Sequence, residues 1–207
     1  MRFLRLLVIF AVTIICPLTA NAATHHAKKH KAKTVAANVA VLSPNMEQPN
    51  LLSFGIGSFD IIKNTPRVET MDFRLEHRWG ISLLPLVHSY FTSWNEWFQI
   101  HPYAGVETST RGQFYGYGGF IFDVLLGRHV VVSPNIVVGI YDRGTGKRLG
   151  SFVEFRSTME VGWRFNNEMR LTGYFGHISN AGLTGINPGA ETAGLYFHVP
   201  TAMIFGG

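Results

Sequence analysis

The sequence predicts an all-β chain, an eight-stranded antiparallel transmembrane β-barrel, on three observations. Segments of about ten residues alternate apolar with polar side chains, and ten residues is what a tilted strand needs to cross a bilayer. Aromatic residues are abundant (16 Phe, 7 Tyr and 4 Trp), and many fall near segment ends, as in an interfacial girdle. Glycine occurs 22 times, often inside the alternating segments, where it lets a small barrel bend.

In chain order, strands are expected over 51–62, 67–79, 97–108, 112–125, 129–141, 150–165, 168–179 and 190–205. The clearest alternation runs over 153–165. Val153, Phe155, Met159, Val161, Trp163 and Phe165 share one face with Ser157, while Glu154, Arg156, Thr158, Glu160 and Arg164 share the other with Gly162. Successive side chains of a strand point to opposite faces, so this period of two means a strand with one apolar and one polar side. The segment 69–79 repeats it. Met71, Phe73, Leu75 and Trp79 lie on one face, and Thr70, Asp72, Arg74, Glu76 and Arg78 on the other, with His77 the polar intruder on the apolar side. In a membrane barrel the apolar face meets lipid and the mixed charges pair in the lumen. A soluble β-protein binding an apolar ligand would reverse the two faces. Asn166-Asn167 suggests a tight hairpin, since Asn tolerates positive φ. Asp142 to Lys147 reads as a longer loop. The stretch 80–96, rich in Leu, Phe and Trp, is compatible with an interfacial helix or a longer strand.

Two segments precede the barrel assigned to 51–207. Residues 1–22 read as a secretory signal peptide: Arg2 and Arg5, an apolar run from Leu6 to Ile15 too short to span a membrane, and an Ala20-Asn21-Ala22 cleavage pattern. Cys16, the one cysteine, lies inside that run after Ile15, which is not a lipid-anchor pattern. The mature chain therefore has neither a disulfide nor a thiol nucleophile. Residues 23–50 form a His/Lys-rich basic arm without apolar period, expected to be disordered. The formal charge of +5 comes entirely from these two segments, since residues 51–207 carry no net charge. A neutral body with a basic arm is not the pattern of a nucleic-acid-binding domain.

Zincin, nucleophile-elbow and S-x-x-K motifs are absent. Gly144-Thr145-Gly146-Lys147 does not complete a phosphate loop, because Arg148 stands where Ser or Thr is required. What remains is the end of the chain. His177 and Ser179 are two apart on a predicted strand, so they share a face with Cβ atoms roughly 6–7 Å apart. A serine needs an adjacent base to act as nucleophile, and the base needs a third group to orient it. Glu191 begins the next strand, and antiparallel pairing would return it beside His177. All three fall on the apolar, lipid-facing side with Leu171, Phe175, Leu195 and Phe197. That is a strange place for a soluble enzyme's site and a natural one for an enzyme acting on a membrane lipid. Spacing alone leaves open that His177 and Ser179 are interfacial polar residues and Glu191 a girdle charge.

The run His177-Ile178-Ser179-Asn180-Ala181, followed by Asn187-Pro188-Gly189 and Glu191, resembles the active-site segment of the lipid A 3-O-deacylase family, the PagL-type barrels. Glu154-Phe155-Arg156-Ser157, Tyr117-Gly118-Gly119 and Tyr141-Asp142-Arg143-Gly144 resemble further pieces of the family, so the likeness covers roughly 70–197. The basic arm is outside it. The resemblance implies an outer-membrane esterase of a Gram-negative bacterium that removes a 3-hydroxyacyl chain from the 3-position of lipid A. It implies His177 as base, Ser179 as nucleophile and Glu191 as orienting acid. Asn180, Asn187 and the backbone N–H groups around Ala181-Gly182 are candidate oxyanion donors. The chemistry calls for neither metal nor cofactor, and its partner is lipid A or lipopolysaccharide within the outer membrane. The sequence leaves a homodimer open. The alternative is a non-enzymatic structural or adhesion barrel of the same shape.

Overall fold

The computed structural model describes residues 48–62, 70–83 and 97–206. The signal peptide, the arm up to residue 47 and most of the 80–96 stretch lie outside the described residues.

Eight strands follow one another in sequence order: β1 (Leu51–Phe59), β2 (Thr70–Arg78), β3 (Phe98–Ser109), β4 (Phe114–Leu126), β5 (Val130–Asp142), β6 (Val153–Arg164), β7 (Arg170–Ser179) and β8 (Ala190–Pro200). Each pairs antiparallel with the next, and β8 returns to pair with β1, closing the barrel. Closure leaves no strand edge unpaired, which a bilayer interior demands because lipid offers backbone groups no partner.

The alternation read from the sequence becomes an inside and an outside. On β6, Glu154, Arg156, Thr158 and Glu160 are buried, while Phe155, Met159, Val161 and Trp163 are exposed. On β2, Asp72, Arg74, Glu76 and Arg78 are buried, while Met71, Phe73 and Leu75 are exposed. The lumen is filled by ion pairs. Arg78 bridges Glu76 and Glu160, each at 2.8 Å. Arg156 reaches Glu107 at 2.6 Å and Glu76 at 3.3 Å, and Arg170 meets Asp123 at 2.6 Å. Tyrosines complete the network. Tyr117 and Tyr196 both donate to Glu76, and the Arg156 guanidinium lies 4.1 Å from the Tyr117 ring centroid. A barrel of this size holds side chains and no bulky ligand.

Strand boundaries differ from expectation where local chemistry intervenes. The eighth strand stops at Pro200 instead of running to 205, since proline has no N–H to continue a ladder. A short helix, α1 (Thr201–Phe205), follows it. The first strand ends at Phe59 because Asp60 turns to φ 64° and pairs with Lys147. The sixth begins at Val153 instead of 150, because Gly150 adopts φ 106° against the Ile186 carbonyl. In the β6–β7 hairpin the positive φ belongs to Glu168, at 67°, and not to Asn166 or Asn167. The turn is closed by the Phe165 N–H donating to the Met169 carbonyl and the Glu168 N–H to the Phe165 carbonyl.

Candidate active site

The β7–β8 hairpin sets the site. Its register puts His177 directly opposite Glu191, with Phe175 opposite Ala193 and Leu171 opposite Phe197 in the same outward file. The imidazole Nδ1 lies 3.3 Å from Glu191 Oε1. Glu191 is the more enclosed of the two, and its Oε2 is buried without a hydrogen-bond partner. Ser179 follows two residues after His177 on the same outer face, at the last position of β7. No hydrogen bond joins Ser179 to His177 in this structure, so the fold brings histidine and glutamate into contact and places the serine hydroxyl one strand step away.

The connection 180–189 is built around Asn180. Its buried side chain donates through Nδ2 to the Leu149 carbonyl, the Ile186 carbonyl and Thr184 Oγ1, at 2.8–3.1 Å, and accepts the Gly182 N–H through Oδ1. The Asn180 N–H donates to Asn187 Oδ1 at 3.1 Å, closing the base of the loop. These bonds hold Ala181 and Gly182 at positive φ, 54° and 83°. Gly189, at φ 59°, returns the chain to β8 past the imidazole. A Cβ on it would sit 2.6 Å from His177 Cε1. The backbone conformation there favours glycine, and any Cβ would displace the ring that packs on it.

Below this loop a groove of about 540 Å³ opens on the outer wall, lined by His177, Ser179, Ala181, Phe155, Ile136 and Gly118 among others. The registers explain its shape. Ser179 is opposite Phe155, Phe155 opposite Val138, and Val138 opposite Gly118. The row thus leads from the serine over three strands to Gly118, where a Cβ would meet only the Tyr103 carbonyl, at 3.8 Å.

The oxyanion candidates separate on this geometry. The amide donors of Asn180 are committed to its own loop and to Leu149. The Gly182 N–H is taken by Asn180 Oδ1. The Ala181 N–H and Asn187 Nδ2 have no partner among the described hydrogen bonds, and Ala181 lines the groove. Two contributors entered the sequence reading only as members of motifs, with no role assigned. Ser157 stands directly opposite His177 on β6 and faces the groove; its signal was a hydroxyl amid the lipid-facing Phe155 and Met159. Gly189 shapes the histidine pocket, and its signal was Pro-Gly just before a charged strand start. Among the described residues there is no cluster of His, Cys, Asp or Glu that could hold a metal ion.

Comparison with known proteins places this chain in a family. A family model described as lipid A 3-O-deacylase (PagL) matches residues 67–200, well over half the chain, including His177, Ser179 and Glu191. The crystal structure of the outer membrane enzyme PagL is similar in fold, with 20% sequence identity and a TM-score of 0.55. That match covers 72% of this chain and 99% of the other. A de novo designed transmembrane β-barrel matches at 10% identity and a TM-score of 0.44, over 73% of this chain and 96% of the design. No curated protein matches. The chain belongs to the lipid A 3-O-deacylase (PagL) family.

Proposed function

We propose that the deacylation is carried by Ser179 as nucleophile, His177 as base and Glu191 as the group that orients it. As a member of its family the protein is a lipid A 3-O-deacylase, an enzyme of the bacterial outer membrane. The observation that carries the residue assignment is the contact of His177 Nδ1 with Glu191 Oε1 at 3.3 Å on the lipid-facing wall, beside the groove that Ser179 lines. With Nδ1 held by the carboxylate, the proton on that nitrogen points at Glu191 and Nε2 is left to act as base.

Ser179 Oγ attacks the ester carbonyl carbon while His177 Nε2 takes its proton. The bond to the sugar oxygen then breaks, His177 returns the proton to that oxygen, and the hydroxyacyl chain stays on Ser179. Water, activated by the same imidazole, releases the fatty acid and regenerates the serine. The serine and imidazole close to hydrogen-bonding distance around the bound ester, as catalytic pairs that are loose without substrate commonly do. The Ala181 N–H and Asn187 Nδ2 serve the tetrahedral oxyanion. The acyl chain runs in the groove toward Gly118, which exposes apolar wall to a lipid already lying against it.

Mass spectrometry of lipid A from cells or mixed micelles containing each variant tests this. Ser179→Ala and His177→Ala should each lower the release of a hydroxyacyl chain on the order of 10⁴-fold or more, and Glu191→Ala should retain more activity than either. Ser157→Ala is the companion variant, because Ser157 is the other hydroxyl facing His177. Deacylation surviving in Ser179→Ala and lost in Ser157→Ala would transfer the nucleophile's role to Ser157.

A further inference from the structure

We propose that the cleft between Arg143 and Arg148 in the β5–β6 loop binds a phosphate carried on the sugar backbone of the substrate. This deepens the deacylase reading and rests on it. The cleft, about 360 Å³, is lined by both arginines, by Gly150 and Ser151, by Asp142, and by Phe152, which is 64% exposed. Both arginine side chains are exposed, and neither has a carboxylate partner among the described ion pairs. The one carboxylate among the described residues of the cleft, Asp142, pairs with neither arginine and accepts the Gly144 N–H instead. Lys147 differs, because it is paired with Asp60. The loop therefore presents two planar guanidinium donors, the groups best shaped to grip a phosphate with two parallel N–H bonds.

The position relative to Ser179 makes this a substrate site and not a general basic surface. The arginine loop and the catalytic loop are locked together. The Leu149 carbonyl accepts from Asn180 at 3.1 Å, the Gly150 carbonyl accepts from Thr184 at 3.2 Å, and Gly150 packs on Ile186. From Phe152 the chain enters β6 and reaches Phe155, the register partner of Ser179, within three residues, about 10 Å of strand. Along the outer wall the order is thus cationic cleft, exposed phenyl ring, serine, apolar groove. A phosphorylated acylated glucosamine has the same order: phosphate and sugar toward water, ester beneath, acyl chains in the bilayer. Holding the phosphate fixes the sugar ring, and with it which ester falls at Ser179. Positioning of this kind is a main source of rate and selectivity.

The test compares two defined lipids: lipid A carrying both of its phosphates, and the same lipid A with the phosphates removed. The wild-type barrel in neutral detergent should prefer the phosphorylated lipid, and raising the salt concentration should erode that preference. Arg143→Gln/Arg148→Gln should raise KM for the phosphorylated lipid roughly tenfold and bring the ratio between the two lipids close to one. Arg143→Lys/Arg148→Lys should fall between, keeping charge without the paired geometry. Arg128→Gln, an exposed arginine in the β4–β5 turn at the opposite end of the barrel, serves as the control and should keep the wild-type ratio. Binding of both lipids to Ser179→Ala barrels, with and without the arginine changes, reads the cleft independently of chemistry. A wild-type barrel that hydrolyses neither lipid would overturn the catalytic reading while the binding arm still judged the cleft. A preference that survives the double Gln variant, or an equal loss of binding for both lipids, would overturn the phosphate site.

Discussion

Glu191 is the less solvated partner of its contact with His177, 17% exposed against 46%, and one of its carboxylate oxygens has no partner. A half-satisfied carboxylate on a lipid-facing wall is unfavourable by itself. In the mechanism proposed above, its other oxygen faces the imidazole Nδ1 at 3.3 Å and orients the ring. The geometry of the pair depends on a residue with no side chain. Gly189→Ala would place a methyl group 2.6 Å from His177 Cε1 at a backbone φ of 59° that alanine disfavours. The ring must then move relative to both Glu191 and Ser179. The expected result is a fall in kcat on the order of 10²-fold with the barrel still heat-resistant in detergent. Full activity in Gly189→Ala would mean that the imidazole position is not critical to the rate.

At the scale of elements, the β7–β8 connection converts a sheet edge into a site. Asn180 replaces the ladder that ends at Ser179, binding two backbone carbonyls that no strand satisfies, those of Leu149 and Ile186. Asn180→Ala would leave the Leu149 carbonyl without its donor, at about 1–3 kcal/mol, and the Ile186 carbonyl with Thr184 Oγ1 alone. The loop should loosen before the barrel does, because closure of β1 on β8 does not depend on it. Limited proteolysis should therefore cut the 180–189 segment in Asn180→Ala and spare the strands, with activity falling in parallel. A rate loss with the loop still protected would indicate that Asn180 acts on the substrate directly and not by shaping the loop.

At the scale of the whole molecule, the barrel is inverted relative to a soluble protein, with its charges inside and its hydrocarbon outside. Most of the lumen's charges are paired, and removing one partner of such a pair strands the other in a medium that cannot solvate it. Arg156 is the most demanding case. It is buried, pairs with Glu107 and Glu76, and stacks on Tyr117. Arg156→Met should destabilise the barrel by about 3–5 kcal/mol, seen as a lower temperature for loss of the compact form on unheated gels. Arg156→Met combined with Glu107→Gln should recover part of the loss, since fewer unpaired anions remain. Additive losses would show that the network is not coupled through Arg156.

The sequence by itself determined the strands, their inward and outward faces, the closed membrane barrel and the candidate residues. Those properties are written in a period of two, and that period survives errors of a few residues at strand ends. Because β7 and β8 are antiparallel neighbours, even the meeting of His177 with Glu191 followed from parity and the short connection between the two strands. The tertiary structure decided what depends on distant segments arriving at one place. The lumen pairs, such as Arg78 with Glu160, join residues 82 apart, and alternation says only that both point inward. Asn180 looked like an oxyanion donor while its partners at Leu149 and Ile186 were unknown; once the loops dock, its donors are committed. Ser157 entered the site because β6 lies against β7 in a register no local pattern specifies. The arginine cleft lies within the β5–β6 loop, and it stands beside the β7–β8 connection only because the two loops dock on one another. Local periodicity reports which way a side chain points, and only the closed sheet decides which side chain it meets.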